Sequence, residues 1–419
     1  NQLAEDIDER ARQDPGVTTQ VLSLDLVDFH QTHTLQLVMG PSYLVELANE
    51  AALLLTEALA HRARLYCVGP CQFACVVEGD QAEALECAAV VRDAALDLRT
   101  GNSSPLMVRP VVGVAPLTLG QTRVRDALRM AHGAARDARQ AEHPVGVYSA
   151  EADAVHQRRF DLLARFRGAL DAGQDHLHLV YQPQVDLGTG ACVGVEALIR
   201  WREPELGAVS PGEFIPLVER TPAARALTDR VMFEAANQSA AWRRAGLDLR
   251  ISINVAATNL EEADFSERLM AYLRAAGVPV AAIDLELTES GLIDNGPAAR
   301  EQFQALMASG FRVAIDDFGT GYSSLAYVQE LAAHVVKIDR SFIDGLERDP
   351  RRRKLVSSMI AIAHDLGYSV VAEGVETTAT YEALKELGCD EAQGYLLARP
   401  MAAEHLEKWY MERNAQRLG

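Results

Sequence analysis

The sequence predicts an α+β domain with an open sheet, followed by an α/β barrel in which one strand runs against the others. Three observations carry that expectation. Strand and helix patterns alternate along nearly all of the 419 residues, the order produced when helices pack on sheets. The part after about residue 172 is close to the roughly 250 residues of a (β/α)₈ barrel. Its first two strands are joined by Asp186-Leu-Gly-Thr-Gly-Ala191, too short for a crossover helix, so that pair must be antiparallel.

The first domain is expected over residues 1–150. Val21 to Phe29 reads as a strand, and Pro41 to Arg62 has apolar residues at helical spacing. Leu65–Val68 and Phe73–Val77 flank Gly69-Pro70 as a hairpin. A helix (Gln81–Leu98), a strand (Leu106–Val114), a helix (Val124–Gln140) and a short strand at Val145 follow. Residues 151–171 form a connecting helix with apolar positions at Phe160, Leu163, Phe166 and Leu170. Residues 172–419 form the barrel. Its strands are His178–Val185, Val193–Arg200, Arg250–Val255, Ile283–Leu287, Phe311–Ile315, Val335–Ile338, Ser369–Val371 and a short one near Glu391.

Composition narrows the chemistry. With 48% apolar and 24% charged residues the chain is an ordinary folded protein. A formal net charge of −19 argues against binding nucleic acid through a basic face, and Arg351-Arg-Arg-Lys354 is a solvated helix start. None of the six cysteines forms a CxxC pair, so reduced core thiols are expected. No apolar run approaches the roughly 20 residues of a membrane span. A cytoplasmic location is expected for this stretch, with room for membrane attachment upstream.

Polar groups recur at the ends of the barrel strands: Glu196, Asn254, Glu286, Asp316 with Asp317, Lys337, Glu373 and Gln393. In a parallel barrel those ends converge on one face, where active sites lie. Asp316 and Asp317 close a β-branched run and open a glycine loop, and like charges this close are costly unless a cation joins them. Carboxylates and an amide oxygen are hard donors suited to magnesium or manganese, and no histidine or cysteine among them favours zinc. A pair of such ions can hold a phosphate oxygen and activate water, which points to phosphodiester hydrolysis. Lys337 would neutralise phosphate or position water, and would need a lowered pKa to act as a base.

With these residues in view, the second domain resembles the EAL family of cyclic-di-GMP phosphodiesterases. The matching motifs are Tyr181-Gln-Pro183, Glu196-Ala-Leu198 with Arg200-Trp201, Glu213-Phe-Ile-Pro216, Asn254-Val255, Glu286-Leu-Thr-Glu-Ser290, Asp316-Asp-Phe-Gly-Thr-Gly321, Lys337-Ile-Asp339, Ala372-Glu-Gly-Val-Glu376 and Gln393-Gly-Tyr395. The resemblance implies a modified TIM barrel that cuts cyclic-di-GMP to linear pGpG with two Mg²⁺ or Mn²⁺ ions. It assigns Glu196, Asn254, Glu286 and Asp316 to one metal, and Asp316 with Asp317 to the second. Lys337 and Glu373 would handle the attacking water, with the base left open between them. Gln182, Arg200 and Gln393 would contact substrate, Glu289 would brace the loop after Asp317, and Glu376 would support the pocket. One departure stands out: Arg220-Thr-Pro-Ala-Ala224 replaces the family's Ser/Thr-Gly-Leu-Ile turn. Losing that glycine removes access to positive φ and puts the local loop geometry in question.

The first domain resembles a decayed GGDEF domain, the diguanylate cyclase partner, with a nucleotidyl cyclase-like sandwich. Its hairpin reads Gly69-Pro-Cys-Gln-Phe73, without the flexible turn and acid that cyclases need. Asp25 stands where a first metal-binding Asp would be, and a plain strand-end acid accounts for it equally well. Ala60 and Ala63 take the places of the usual inhibitory-site Arg and Asp. The resemblance therefore implies a regulatory, dimerising domain without cyclase activity, with weak GTP binding as a residual property. The alternative from another class is a catalytically silent cyclic-di-GMP receptor; receptors of this fold usually lack the metal ligands that this chain keeps.

Overall fold

Apolar side chains alternate along Thr18–Asp25 (β1), so Leu22 and Leu24 enter one core while Val21 enters another on the opposite face. The computed structural model describes residues 2–60, 62–98, 108–172, 176–288, 297–320 and 333–418. The chain divides into two units, Asn1–Arg158 and Arg159–Gly419.

In the first unit, Leu65–Gly69 (β2), Gln72–Val77 (β3), Val111–Thr118 (β4) and Val145–Val147 (β5) join β1 in the order β2-β3-β1-β4-β5. β1 is antiparallel to β3 and β4, and β4 is parallel to β5. Helices Pro41–Leu59 and Gln81–Leu96 cover one face; Gln2–Gln13 and Val124–Gln140 cover the other. The unit is thus α+β with an unclosed sheet.

Among the boundaries that differ from the expected ones, two have a readable local cause. β1 stops at Asp25 because Asp28 caps a helix, Phe29–Met39: its side chain accepts from the Gln31 amide at 2.6 Å, and the Gln31 side chain accepts from the Asp28 amide. The strand expected at 106–114 runs instead from Val111 through Pro116 to Thr118, residues 106 and 107 lying outside the described ones. β5 ends opposite Val114, so Pro116, beyond it, lies where β4 has lost one neighbour and a missing N–H is tolerated.

The barrel unit contains Leu177–Asp186 (β6), Cys192–Glu203 (β7), Gly207–Val209 (β8), Arg250–Asn254 (β9), Ile283–Thr288 (β10), Arg312–Phe318 (β11), Val335–Ile338 (β12), Ser369–Ala372 (β13) and Glu391–Ala392 (β14). The sheet order is β6-β14-β13-β12-β11-β10-β9-β7-β8, and β6 also pairs with β7, closing the barrel with β8 as an outer addition. β6 is antiparallel to both neighbours, β7 and β14; the ladders from β7 through β9 to β14 are parallel. The reversal has a local cause, since the Asp186 carboxylate accepts from the Thr189 amide and hydroxyl and folds the connection into a tight turn.

Side chains two apart share a face, so inward residues stack in layers. Arg250, Asp284, Arg312 and Glu391 meet where the parallel strands begin. Ala314, Val335 and Val371 form a separate apolar layer. The polar residues of the strand ends lie above it. The main core fills the space between strands and surrounding helices, with Phe166 of helix Ala150–Ala172 5.3 Å from Trp201. Among the described residues no helix is long and apolar enough to cross a membrane.

Candidate active site

Lys337, on β12, is 1% exposed and lies at the centre of an acidic cluster. Its Nζ is 2.6 Å from Glu286 Oε2, 2.6 Å from Glu373 Oε1, 3.3 Å from Asp316 Oδ1 and 3.7 Å from Glu196 Oε2. Four parallel-strand ends and β7 thus deliver their acids and one cation to a single spot. Burial alone would pull the Lys337 pKa down; the four carboxylates outweigh it and raise it well above the usual range. Lys337 therefore holds its proton here, which is the opposite of what a basic role requires.

The acids respond differently to the same ammonium. Burial disfavours ionisation of Glu196, but Lys337 and amide donors hold it below the usual range: Asn254 Nδ2 donates to its Oε1 at 2.8 Å and Gln393 Nε2 to its Oε2 at 2.6 Å. Burial pushes Glu286 well above that range, with the charges of Glu196 and Asp316 reinforcing the effect against Lys337. Its Oε1 is buried without a hydrogen-bond partner. Glu373 is likewise raised by burial, to about 7.

Asp316 and Asp317 both line a cleft of about 410 Å³ with Glu286, Asn254 and Arg200. Consecutive residues of a regular strand face opposite ways. Here the β11–β12 register shifts between Ile315 and Phe318, and Asp317 takes a left-handed φ of +55°. That bulge is what turns both carboxylates toward one space. The Asp317 amide donates to Asp316 Oδ1 at 3.0 Å, fixing the pair.

Among the described residues no group of three or more His, Cys, Asp or Glu side chains is already drawn together as a metal cage; Lys337 stands among the acids instead. The donor set nonetheless suits a hard divalent cation. It consists of carboxylates and an amide, it carries one lysine against four acids, and it includes the unpartnered Glu286 oxygen.

Gln182 and Gln393 adjoin the cluster: Gln393 Nε2 donates to Gln182 Oε1 at 3.0 Å, and Gln182 Nε2 to the Ala398 carbonyl at 3.1 Å. Arg200 lines the cleft and donates to the Ile199 carbonyl at 2.9 Å. Glu376 is a different case. Its side chain is 43% exposed and pairs with Arg340 at 2.9 Å rather than with the acids. Glu289 lies outside the described residues. In the altered turn no residue from Glu219 to Ala224 has positive φ. The Thr221 hydroxyl donates to the Val218 carbonyl and accepts from the Ala223 amide, so the absence of glycine leaves the turn unstrained.

Two residues escaped sequence reasoning. Gln184 donates to Gln393 Oε1 at 3.2 Å, and its signal was the two-residue spacing from Gln182. Arg340 meets Glu376, and nothing in its local sequence announces that. In the first unit, Asp25 lies 3.6 Å from His132 Nδ1. Cys71, at the hairpin turn with a φ of +55°, is buried beneath Leu44, its thiol pushed up to about 11 by burial.

A model of the EAL domain matches residues 164–400. Cyclic di-GMP phosphodiesterase PA2567 of Pseudomonas aeruginosa is 36% identical over 415 residues, which are 97% of this chain and 69% of that protein. The bifunctional diguanylate cyclase/cyclic di-GMP phosphodiesterase MucR of the same organism is 39% identical over 260 residues, 62% of this chain and 38% of that protein. A solved complex of the PaMucR phosphodiesterase with c-di-GMP is similar at TM-score 0.56 and 40% identity, covering 59% of this chain and 99% of that one. The EAL enzyme Bd1971 with cAMP and cyclic-di-GMP bound is similar at TM-score 0.58 and 26% identity, over 71% of this chain and 80% of that one.

Proposed function

This chain belongs to the EAL domain family, and we propose that it is a metal-dependent phosphodiesterase that opens cyclic-di-GMP to linear pGpG. The observation that carries the reading is the surplus of buried acid around Lys337, with one Glu286 oxygen left unpartnered. Two Mg²⁺ or Mn²⁺ ions, one held by Glu196, Asn254, Glu286 and Asp316 and one by Asp316 with Asp317, would supply Lewis acidity toward the phosphate and the attacking water.

The chain's own groups account for the rest. Arg200, at the wall of the cleft, offers a cation to the phosphate, while Gln182 and Gln393 offer amides to the dinucleotide. The Lys337 ammonium has no lone pair, so it orients water and compensates negative charge. Glu373, 2.6 Å from it, is the acceptor for the proton that the water sheds. Glu289 is assigned to bracing the loop after Asp317, and Glu376 to supporting the pocket through Arg340.

The first unit is proposed to be a GGDEF-like regulatory and dimerising domain without cyclase activity. Burial of Cys71 in the hairpin turn supports this, since the turn offers a core thiol where a nucleotide would need polar groups.

The test is turnover of cyclic-di-GMP with Mg²⁺, Mn²⁺ or EDTA, and with Glu196→Ala as control. Metal-dependent formation of pGpG that the substitution abolishes is expected. Binding without turnover under every metal would replace the enzyme with a receptor.

A further inference from the structure

Gln184 is 3% exposed and hydrogen-bonds to Gln393 rather than to the acids around Lys337, yet it ends a chain of amides that reaches them. Gln393 has one carboxamide with a donor end and an acceptor end. Its Oε1 accepts from Gln184 at 3.2 Å, and its Nε2 donates to Gln182 at 3.0 Å and to Glu196 at 2.6 Å. A half-turn of that amide would aim its carbonyl oxygen at the Glu196 carboxylate, setting two acceptors against each other. It would also aim its NH₂ at the Gln184 NH₂, setting two donors against each other. All four side chains are buried, so a mismatched amide has no water to fall back on.

The seat of Gln184 is shaped for the role. Gly194 pairs with it across the β6–β7 ladder, and a Cβ at that position would stand 3.1 Å from the Gln184 Oε1. The missing side chain leaves the space the amide occupies.

We propose that Gln184 is a positioning residue: its donated hydrogen bond selects the orientation of Gln393 in which Glu196 and Gln182 are both engaged. The inference rests on the reading above, in which Glu196 holds a metal and Gln182 and Gln393 meet the substrate.

The experiment is a double-mutant cycle on Gln184→Met and Gln393→Met, with folding checked by thermal unfolding. It is read as Mn²⁺ affinity of the substrate-free protein by isothermal titration and as cyclic-di-GMP affinity in EDTA. Gln184→Met is expected to weaken Mn²⁺ binding about 10-fold, the scale for a group that orients a ligand, and the double variant to be no worse than Gln393→Met alone. Gln184→Glu is the second variant, and serves if the methionine variant does not fold. It keeps the side chain's size but presents oxygen to the Gln393 oxygen, so the loss should exceed that of Gln184→Met. Wild-type Mn²⁺ affinity in both Gln184 variants, or losses that simply add, would overturn the inference. A wild type that neither binds nor cleaves cyclic-di-GMP would instead overturn the proposed function.

Discussion

At the floor of the barrel Arg250 and Arg312 face Asp284 and Glu391, whereas at its mouth, among the described residues, Lys337 is the cation in ion-pair contact with Glu196, Glu286, Asp316 and Glu373, with Arg200 lining the same cleft. The same strands build both ends: Asp284 and Glu286 are two residues apart on β10, about 7 Å along the strand. At the floor, Arg250 reaches Glu391 at 2.8 Å and Arg312 reaches Asp284 at 3.2 Å, so each acid has its own cation. The cations there match the acids in number, although Asp284 Oδ1, like Glu286 Oε1 at the mouth, is buried without a hydrogen-bond partner. At the mouth the acids outnumber their cation, and buried charge without compensation opposes folding. The contrast separates a set of charges that closes the structure from a set that leaves it in need of a cation.

The largest expected effect comes from neutralising the mouth. Glu286→Gln should lower cyclic-di-GMP turnover by about 10³-fold, the scale of removing one essential electrostatic group. Its unfolding midpoint in EDTA should stay level or rise, because burial and the charges of Glu196 and Asp316 oppose ionisation of this carboxyl and a neutral amide meets no such opposition. A fall in midpoint with activity retained would erase the distinction between the two ends.

Floor substitutions should do the reverse. Arg250→Met leaves Glu391 without its cation and should cost about 3–5 kcal/mol in urea unfolding, while activity per folded molecule stays within about twofold. A large loss of activity in folded protein would show that the floor is part of the catalytic machinery.

A smaller effect sharpens the floor itself. Burial raises the Asp284 pKa from 3.8 to about 7, against the pull of Arg250. A carboxyl whose folded pKa is raised contributes stability that is complete below its unfolded value and is lost as pH climbs to about 7. The stability of Asp284→Asn relative to wild type should therefore improve over that window, by at most about 1.4 kcal/mol per pH unit. Denaturant melts at several pH values would read it, and a constant difference would discount the burial of Asp284.

The smallest effect on stability concerns the bulge. Asp317→Gly relaxes a left-handed backbone and should stabilise by about 0.5–1 kcal/mol, while losing turnover with the carboxylate. Gain in stability without loss of turnover would remove Asp317 from the site.

Much of this was legible because periodicity is local. The Val335–Ile338 strand and the Val124–Gln140 helix have the bounds their patterns predict, since apolar spacing alone sets them. The reversed β6 was legible from the length of one connection. The helix Phe29–Met39 was readable in principle from Asp28 and Gln31, a capping box, but the apolar run before it masked the signal. The bulge at Asp317 was not, because a register shift belongs to two strands and neither carries a mark of it.

Sequence by itself determined which residue types stand at the strand ends, and so the class of chemistry and the family. Only the tertiary structure decided which acid is partnered, because that depends on donors brought from distant strands. Asn254 and Gln393 reach Glu196, while Glu286 keeps a bare oxygen. The count of cations that folding delivers to each end makes one a joint and the other a site.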